Sequence, residues 1–164
     1  MAIAAEVTER AAQPYVGIAG QVTMATIGTV ADRIPEIFGW LGARGIAPAG
    51  PPFFRYNVID MERQLEVEVG VPVASAAEGD GNVQPGTLPA GRYATLLHVG
   101  APPTLQAATA ALLDWAAERD LTWDMSQTDA GEQWGCRLEI YLTDPAEQPD
   151  LSKWETQLAF RLAD

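Results

Sequence analysis

The sequence is 164 residues long and 48% hydrophobic, which suits one domain with a hydrophobic core and excludes a chain that is disordered throughout. It carries 22 acidic and 10 basic residues. The resulting net charge of −12 argues against direct binding of DNA or RNA, because such binding needs a positive patch. No apolar run approaches the roughly 18–20 residues of a membrane span. We therefore expect a single domain over residues 1–164 that contacts neither nucleic acid nor membrane.

The cysteine and histidine content gives no sign of a metal site. Cys136 is the only cysteine and His98 is the only histidine, so the chain cannot form an intrachain disulfide and lacks a recognisable set of zinc ligands. The first residues also lack the basic and long apolar segments of a secretory signal. We expect a cytoplasmic protein without a metal or another cofactor.

In the first half of the chain, a helical pattern lies between strand patterns. The apolar spacing of residues 29–45 predicts a helix that Thr29 caps and Gly45 ends. Pro35 is expected to kink this helix or to start its regular part. Residues 74–89, rich in Gly, Pro and small side chains, are predicted to form a connecting loop. Four segments have the alternation or composition of strands: residues 5–10, 14–25, 53–60 and 65–73.

The second half has a similar order of elements. Pro102 and Pro103 precede a predicted helix from Thr104, which is expected to cap it, to about Asp120. Residues 121–131 are predicted to be a turn region. Asp144 and Pro145 are expected to end the central strand of this half. Three segments have strand patterns: residues 91–99, 134–143 and 154–162.

The shared order of elements predicts an internal repeat. Residues of about 5–75 and 86–164 would each form a strand–helix–strand–strand unit with an antiparallel sheet, so the expected class is α+β. Two such units would join across a pseudo-twofold axis and leave a cleft between their helices. Such junctions are common places for ligands.

Glu139 is the most informative residue of the sequence. It lies in a strictly alternating stretch, in which Cys136, Leu138, Ile140 and Leu142 fall on one face and Arg137, Glu139, Tyr141 and Thr143 on the other. A buried carboxylate needs a hydrogen-bond donor, a proton or a cation, because burying an unpaired charge is costly. An ordinary strand residue that faces solvent or pairs with Arg137 is the structural alternative, and spacing alone does not decide between the two.

The chain as a whole resembles the GyrI-like domain family, which includes the effector-binding domains of bacterial multidrug-responsive transcription regulators. The resemblance covers the chain from about residue 5 to its end, and the ordered set of segments is more specific than any single one. The segments that carry it are residues 50–56, 65–73, 88–94 with His98-Val99-Gly100, 112–115, 138–145 and 154–158.

The resemblance implies a pocket where the two halves meet, which takes lipophilic, often cationic, aromatic compounds. Glu139 corresponds to the glutamate at the floor of that pocket. Aromatic rings would form its walls, because a flat cation is held well against aromatic faces. By their order in the chain, the wall residues are expected to be Tyr56, Trp115, Tyr141 and Trp154, with Trp40 and Phe53 as further candidates.

Three functions follow from the resemblance. The first is binding, for sequestration or sensing, of hydrophobic and often cationic aromatic compounds by a stand-alone domain, since almost no chain remains for a DNA-binding segment. The second is hydrolysis of natural products that contain a strained cyclopropane ring, with Glu139 as general base and Tyr141 placing a proton or hydroxyl. The third is an interaction with a protein partner, as in family members that inhibit a topoisomerase.

Overall fold

The computed structural model describes residues 5–23, 25–60, 62–75, 77–79, 81–144 and 147–163. Met24 and Pro145, which the sequence places at strand ends, lie outside these residues. None of the described helices is long and apolar enough to cross a membrane. The helices are α1 (Gly28–Ala31), α2 (Ile34–Ala43) and α3 (Leu105–Glu118). The strands are β1 (Ala5–Arg10), β2 (Gln13–Val22), β3 (Phe53–Ile59), β4 (Leu65–Pro72), β5 (Gln84–Leu88), β6 (Gly91–Val99), β7 (Met125–Thr128), β8 (Gly131–Trp134), β9 (Arg137–Tyr141) and β10 (Glu155–Arg161).

The strands form one antiparallel sheet in the order β1-β6-β10-β9-β3-β4-β2-β5. The β7–β8 hairpin joins this path through pairing of β8 with β3. Strands β9 and β3 are the middle pair, and they come from opposite halves of the chain. An antiparallel sheet with helices on it confirms the α+β class. The duplicated unit and its pseudo-twofold axis stay predictions.

The helices pack on one face of the sheet. Helix α2 contacts β4 and β2, α1 contacts the same two strands, and α3 contacts β6. Helix α2 buries Ile37 and Leu41, and α3 buries Leu105, Ala108, Leu112 and Ala116. Each fully buried aliphatic side chain of this kind contributes roughly 1.5–3 kcal/mol to folding relative to an exposed one. The main helix–sheet contacts therefore fall on β2, β4 and β6, on either side of the middle strands β3 and β9.

The opposite face of the sheet has a core of its own, made by side chains from strands and their flanking residues. Its members are Tyr15, Phe53, Leu88, Tyr93, Cys136, Leu138, Ile140 and Ala159.

The predicted helix over residues 29–45 is two helices. Asp32 and Arg33 form a turn between α1 and α2. Pro35 lies in the first turn of α2, where its missing N–H costs nothing, so the regular part of the helix starts there as predicted. Thr29 does not cap: it lies inside α1, and its hydroxyl donates to the Thr26 carbonyl at 2.8 Å. Gly45 ends the segment with a φ of +66°, which glycine adopts without a side-chain penalty.

Helix α3 confirms the predicted helix, but not its cap. Thr104 occupies the N-cap position without a capping hydrogen bond. Its hydroxyl donates instead to the Ala101 carbonyl at 2.6 Å and also lies 2.6 Å from Nε2 of His98. Thr104 therefore ties the helix start to the end of β6.

Two segments that lacked a strand pattern are paired in the sheet. The predicted loop at residues 74–89 contains β5, which pairs with β2 at the edge of the sheet. Gly86 lies opposite Tyr15 in this pair, and a Cβ at Gly86 would lie 2.5 Å from the Tyr15 ring, so only glycine fits. The predicted turn region at residues 121–131 contains β7 and the start of β8. These segments are strands because they pair with other strands of the sheet, and not because their own residues favour a strand.

Candidate functional site

A cavity of about 520 Å³ opens on the helical face of the sheet. Its floor is formed by β3 and β9, and it lies between α1 on one side and the start of α3 on the other. Its size falls in the usual range of small-molecule sites, roughly 300–1,000 Å³. The polar and aromatic residues of the floor are Phe54, Tyr56, Arg137, Glu139 and Tyr141. The walls include Ile27, Gly28 and Ala31 from the α1 side and Pro103, Leu105, Gln106 and Thr109 from the α3 side.

The strand alternation of β9 places Glu139 in the cavity. Cys136, Leu138 and Ile140 are buried on one face of β9, whereas Glu139 and its neighbours two residues away are partly exposed on the other face. The predicted alternation is thus confirmed for residues 136–141, whereas Trp134 belongs to β8 and Leu142, expected on the apolar face, lies past the end of β9 and is exposed. In the ladders of the sheet, Glu139 lies opposite Phe54 on β3 and opposite Leu158 on β10. The carboxylate therefore rises from the centre of the sheet between two apolar side chains.

Two phenols share the Glu139 carboxylate. The Tyr141 hydroxyl donates to Oε1 of Glu139 at 3.0 Å, and the Tyr56 hydroxyl is close enough to influence the pKa of the same carboxyl. Burial raises the pKa of the Glu139 carboxyl above its usual range. The hydrogen bonds from Tyr141 and Tyr56 and the positive charge of Arg137 oppose this rise. None of the ion pairs between described residues includes Glu139.

The two tyrosines stay protonated at neutral pH. Burial, and then the negative charge of Glu139, raises the pKa of both Tyr56 and Tyr141 well above the ordinary value for a phenol. Each hydroxyl can therefore donate a hydrogen bond to the carboxylate and present its ring to the cavity.

Phe54 completes an aromatic floor around the carboxylate. Its ring stacks on Tyr56 at a centroid distance of 5.8 Å and meets Tyr141 edge to face at 6.0 Å. These separations lie in the favourable range for aromatic pairs. A ligand that enters the cavity therefore meets three rings and one acid on adjoining strands.

Arg137 brings a positive charge to the same floor. Its guanidinium lies over the rings of Phe160 at 4.5 Å and Trp134 at 4.7 Å, measured to the ring centroids. Burial lowers the pKa of Arg137, and the negative charge of Glu132 opposes that effect most strongly. An arginine remains charged after such a shift, because its ordinary pKa is above about 12.

Three of the seven expected site residues line the cavity, namely Glu139, Tyr141 and Tyr56. Phe53 does not, and that expectation is corrected. It pairs with Ile140 and lies 1% exposed in the core of the opposite sheet face. Neighbouring residues on a strand point to opposite faces, so a wall that contains Tyr56 cannot contain Phe53 on the same strand.

The three expected tryptophans also lie outside the cavity lining. Trp40 packs against the core beneath α2, with Arg44 4.0 Å over its ring. Trp115 lies on α3 with Arg119 4.3 Å over its ring. The Trp154 indole donates to the Gln148 carbonyl at 2.7 Å. Their rings are used in packing and in local contacts.

Phe54 and Arg137 are the floor residues that sequence reasoning missed. Both were accessible through the period of two: Phe54 shares the face of Tyr56, and Arg137 shares the face of Glu139. The helical wall, with Gln106 and Thr109, had no comparable signal, because nothing in the sequence of α3 tells which part of the sheet its first turns overhang.

Comparisons with known proteins give the fold and the family. The C-terminal domain of EcmrR superposes with a TM-score of 0.79 at 19% identity, covering 100% of this chain and 99% of that one. EcmrR in its DNA complex matches with a TM-score of 0.78 at 19% identity over 98% of this chain and 57% of that chain, so the chain spans little more than half of that EcmrR chain. No curated protein sequence matches the chain.

Two further solved structures resemble this fold. SAV2435 bound to tetraphenylphosphonium has a TM-score of 0.65 at 12% identity, covering 97% of this chain and 93% of that one. A hydrolase from Listeria innocua has a TM-score of 0.66 at 13% identity, covering 97% and 91%. The model of the family described as "GyrI-like small molecule binding domain" matches residues 4–163. Since that match takes in nearly the whole sequence, this chain belongs to the GyrI-like small molecule binding domain family.

Proposed function

We propose that this protein binds hydrophobic, cationic aromatic compounds in the cavity over β3 and β9, for sequestration or sensing. The observation that carries the proposal is Glu139: a half-buried carboxylate that lines the cavity, is hydrogen-bonded to Tyr141, lies outside every ion pair of the described residues and stands on an aromatic floor. Folding puts a carboxylate there at a cost, and among the described residues no cation lies within ion-pair distance of it. A cationic ligand would supply one.

Physical chemistry supports the cationic class of ligand. A delocalised cation loses little hydration on leaving water, and its attraction to Glu139 is less screened inside the cavity than in bulk water. Each aromatic face it covers adds roughly 0.5–2 kcal/mol. The fold neighbour SAV2435, bound to tetraphenylphosphonium, is consistent with this class. In the same proposal the protein acts in the cytoplasm, and the cavity lies where the two predicted halves of the chain meet.

The test compares a cationic and a neutral probe. Glu139→Gln keeps the shape of the side chain and removes its charge, so we expect tetraphenylphosphonium to bind at least about ten-fold more weakly, a loss of about 1.4 kcal/mol. The affinity for the neutral dye Nile red should fall by less than about two-fold, because this dye has no positive charge to pair with Glu139. Glu68→Gln is the control, since Glu68 is a partly buried carboxylate that bonds Tyr15 on the opposite face of the sheet.

Equal losses for both probes in Glu139→Gln would contradict the electrostatic part of this proposal. Calorimetric titration of the wild type with tetraphenylphosphonium decides whether the cavity binds such a cation at all.

Hydrolysis is the second candidate, and the Listeria innocua hydrolase among the fold neighbours favours keeping it. Glu139, with its raised pKa, would accept a proton from a water molecule that attacks a ring carbon of a cyclopropane. The ring C–C bond would break and its electron pair would move into a conjugated carbonyl, which takes a proton from Tyr141; the proton on Glu139 would then return to Tyr141 along their hydrogen bond. Mass spectrometry after incubation with a cyclopropane-bearing alkylator should then show a product heavier by one water in wild type and not in Glu139→Gln. The protein-interaction role stays a prediction.

A further inference from the structure

Arg137 lines the ligand cavity without a hydrogen-bond partner in the described part of the chain. Its guanidinium carries five N–H donors. None of the side-chain hydrogen bonds or ion pairs found among the described residues uses them. It lies over the aromatic faces of Trp134 and Phe160, and the charges of Glu132 and Glu139 act on it without forming an ion pair. An arginine at the floor of a cavity is thus held by its flat face, with its donors free.

The guanidinium nitrogens of Arg137 keep some exposure, and the cavity is the space that this residue lines. Among the described residues, the side-chain nitrogens that are both fully buried and unpartnered belong to Trp40 and Arg55, and Arg137 is not one of them. Arg137 lines the cavity together with Glu139 and Tyr56. A donor that is shielded from bulk water and lacks an acceptor costs roughly 1–3 kcal/mol, which a suitable acceptor on a ligand would recover.

Strand geometry fixes the spacing of the two charges. Arg137 and Glu139 are two residues apart on one face of β9, so their Cα atoms lie roughly 6.4–6.8 Å apart. The two rings beneath the guanidinium restrict its orientation, and the phenol of Tyr141 restricts the carboxylate. The floor therefore presents one cation and one anion at a nearly constant separation, which a ligand with a single positive charge matches only in part.

We propose that the cavity is built for amphoteric aromatic ligands, in which a delocalised cation pairs with Glu139 and a carboxylate or another strong acceptor on the same molecule pairs with Arg137. This inference rests on the proposed binding function and names its ligand class more narrowly. Arg137 is then the residue that determines specificity. A purely cationic ligand gains the attraction of Glu139 but meets the repulsion of Arg137, whereas an amphoteric ligand satisfies both charges.

Rhodamine B and its methyl ester are suitable probes, because they share one cationic ring system and differ in a free carboxylate. We expect the wild type to bind the acid at least as tightly as the ester. A cavity that recognised only positive charge would reject the acid by about ten-fold or more, because its carboxylate would face Glu139 without a partner. Fluorescence anisotropy of the two dyes against the full chain measures this ratio without any variant.

Arg137→Met keeps the length and the apolar stem of the side chain and removes the charge and the donors. The substitution should weaken binding of the acid by about ten-fold or more, because a charge-assisted hydrogen bond is lost only for the acid. Binding of the ester should stay unchanged or become tighter. Arg137→Lys, which keeps the charge and loses the planar fork, should recover part of the affinity for the acid. It also provides a second variant if Arg137→Met folds poorly. Thermal unfolding of both variants checks their folding.

Tighter binding of the ester by the wild type, or equal losses for both dyes in the Arg137 variants, would overturn the inference while tetraphenylphosphonium binding still upheld the proposed function. If neither tetraphenylphosphonium nor either dye binds, both this inference and the proposed binding function are overturned.

Discussion

Phe54 lies directly opposite Glu139 in the β3–β9 ladder, so an aromatic ring and a buried carboxylate are cross-strand neighbours at the centre of the cavity floor. Such neighbours have Cβ atoms roughly 4.5–5.5 Å apart. One residue earlier on β3, Phe53 pairs with Ile140 and faces the other core. Two adjacent phenylalanines thus lie on opposite sides of one sheet, and only one of them can touch a ligand in the cavity.

This pair of residues allows a matched test of the floor. Phe54→Leu should weaken tetraphenylphosphonium binding by about three-fold or more, because an aromatic face contributes roughly 0.5–2 kcal/mol to holding a cation. Phe53→Leu should leave the affinity within about two-fold. Both residues are buried, at 5% and 1% exposed, so each change should lower the free energy of unfolding by about 1–2 kcal/mol. Calorimetric titration and urea unfolding of the two variants separate the effects. A loss of affinity in Phe53→Leu equal to that in Phe54→Leu would place the ligand elsewhere.

The alternation of side chains between the two faces of a strand explains which site residues could be found from the sequence. The alternation of β9 is local, so it correctly put Glu139, Tyr141 and Arg137 on one face. The same rule applied to β3 gives Phe54 once Tyr56 is accepted, whereas order in the chain, from which Phe53 is expected, does not distinguish the two faces of a strand. Register is different, since the pairing of Phe54 with Glu139 joins the two halves of the chain and depends on the whole sheet.

Helices and strands were predictable to different extents for a related reason. The apolar stripes of α2 and α3 are local signals, so both helices could be placed from sequence. Strand β5 contains Pro85 and Gly86, which are typical of loops, and it exists because it pairs with β2. The tryptophans could not be assigned, because an indole suits a pocket wall and a core equally well, and only the tertiary structure decides where it lies.

The raised pKa of Glu139 predicts that cation binding depends on pH. Burial favours the protonated carboxyl, whereas a bound cation favours the ionised form, so binding lowers the pKa of Glu139 and releases a proton at pH values around its raised pKa. Affinity for tetraphenylphosphonium should rise as pH increases through the raised pKa and then level off. Calorimetry in two buffers with different ionisation enthalpies measures the released proton. Glu139→Gln should abolish both the release and the pH dependence. A released proton that persists in this variant would come from another group.

The same shift predicts how the stability of the ligand-free protein changes with pH. In the unfolded chain the glutamate has a pKa near about 4.3, and in the folded chain the pKa is higher, so the native state binds more protons between these two values. The stabilisation is fully present below the unfolded pKa and is lost as pH rises through the folded pKa. Relative to Glu139→Gln, the wild type should therefore become less stable over this window. Urea unfolding of both proteins at a series of pH values gives the difference. A constant difference across the window would mean that the folded pKa is not raised.

The hydroxyls of Tyr141 and Tyr56 should lower the pKa of the Glu139 carboxyl. Tyr141 donates to Glu139, the Tyr56 hydroxyl also lowers the pKa of this carboxyl, and a hydrogen bond to a charged group is worth roughly 1.5–3 kcal/mol. Tyr141→Phe or Tyr56→Phe should therefore raise the pKa of Glu139 further and shift the pH at which cation affinity levels off to higher values.

The control for these variants is Tyr15→Phe. The Tyr15 hydroxyl donates to Glu68 at 2.6 Å on the other face of the sheet, so its removal should lower stability and leave the pH profile of binding unchanged. The measurement is the pH dependence of tetraphenylphosphonium affinity in the three variants and the wild type. If all three variants shift the profile equally, the effect comes from general destabilisation. If the two cavity variants leave the profile where it is in the wild type, their hydroxyls do not stabilise the ionised form of Glu139.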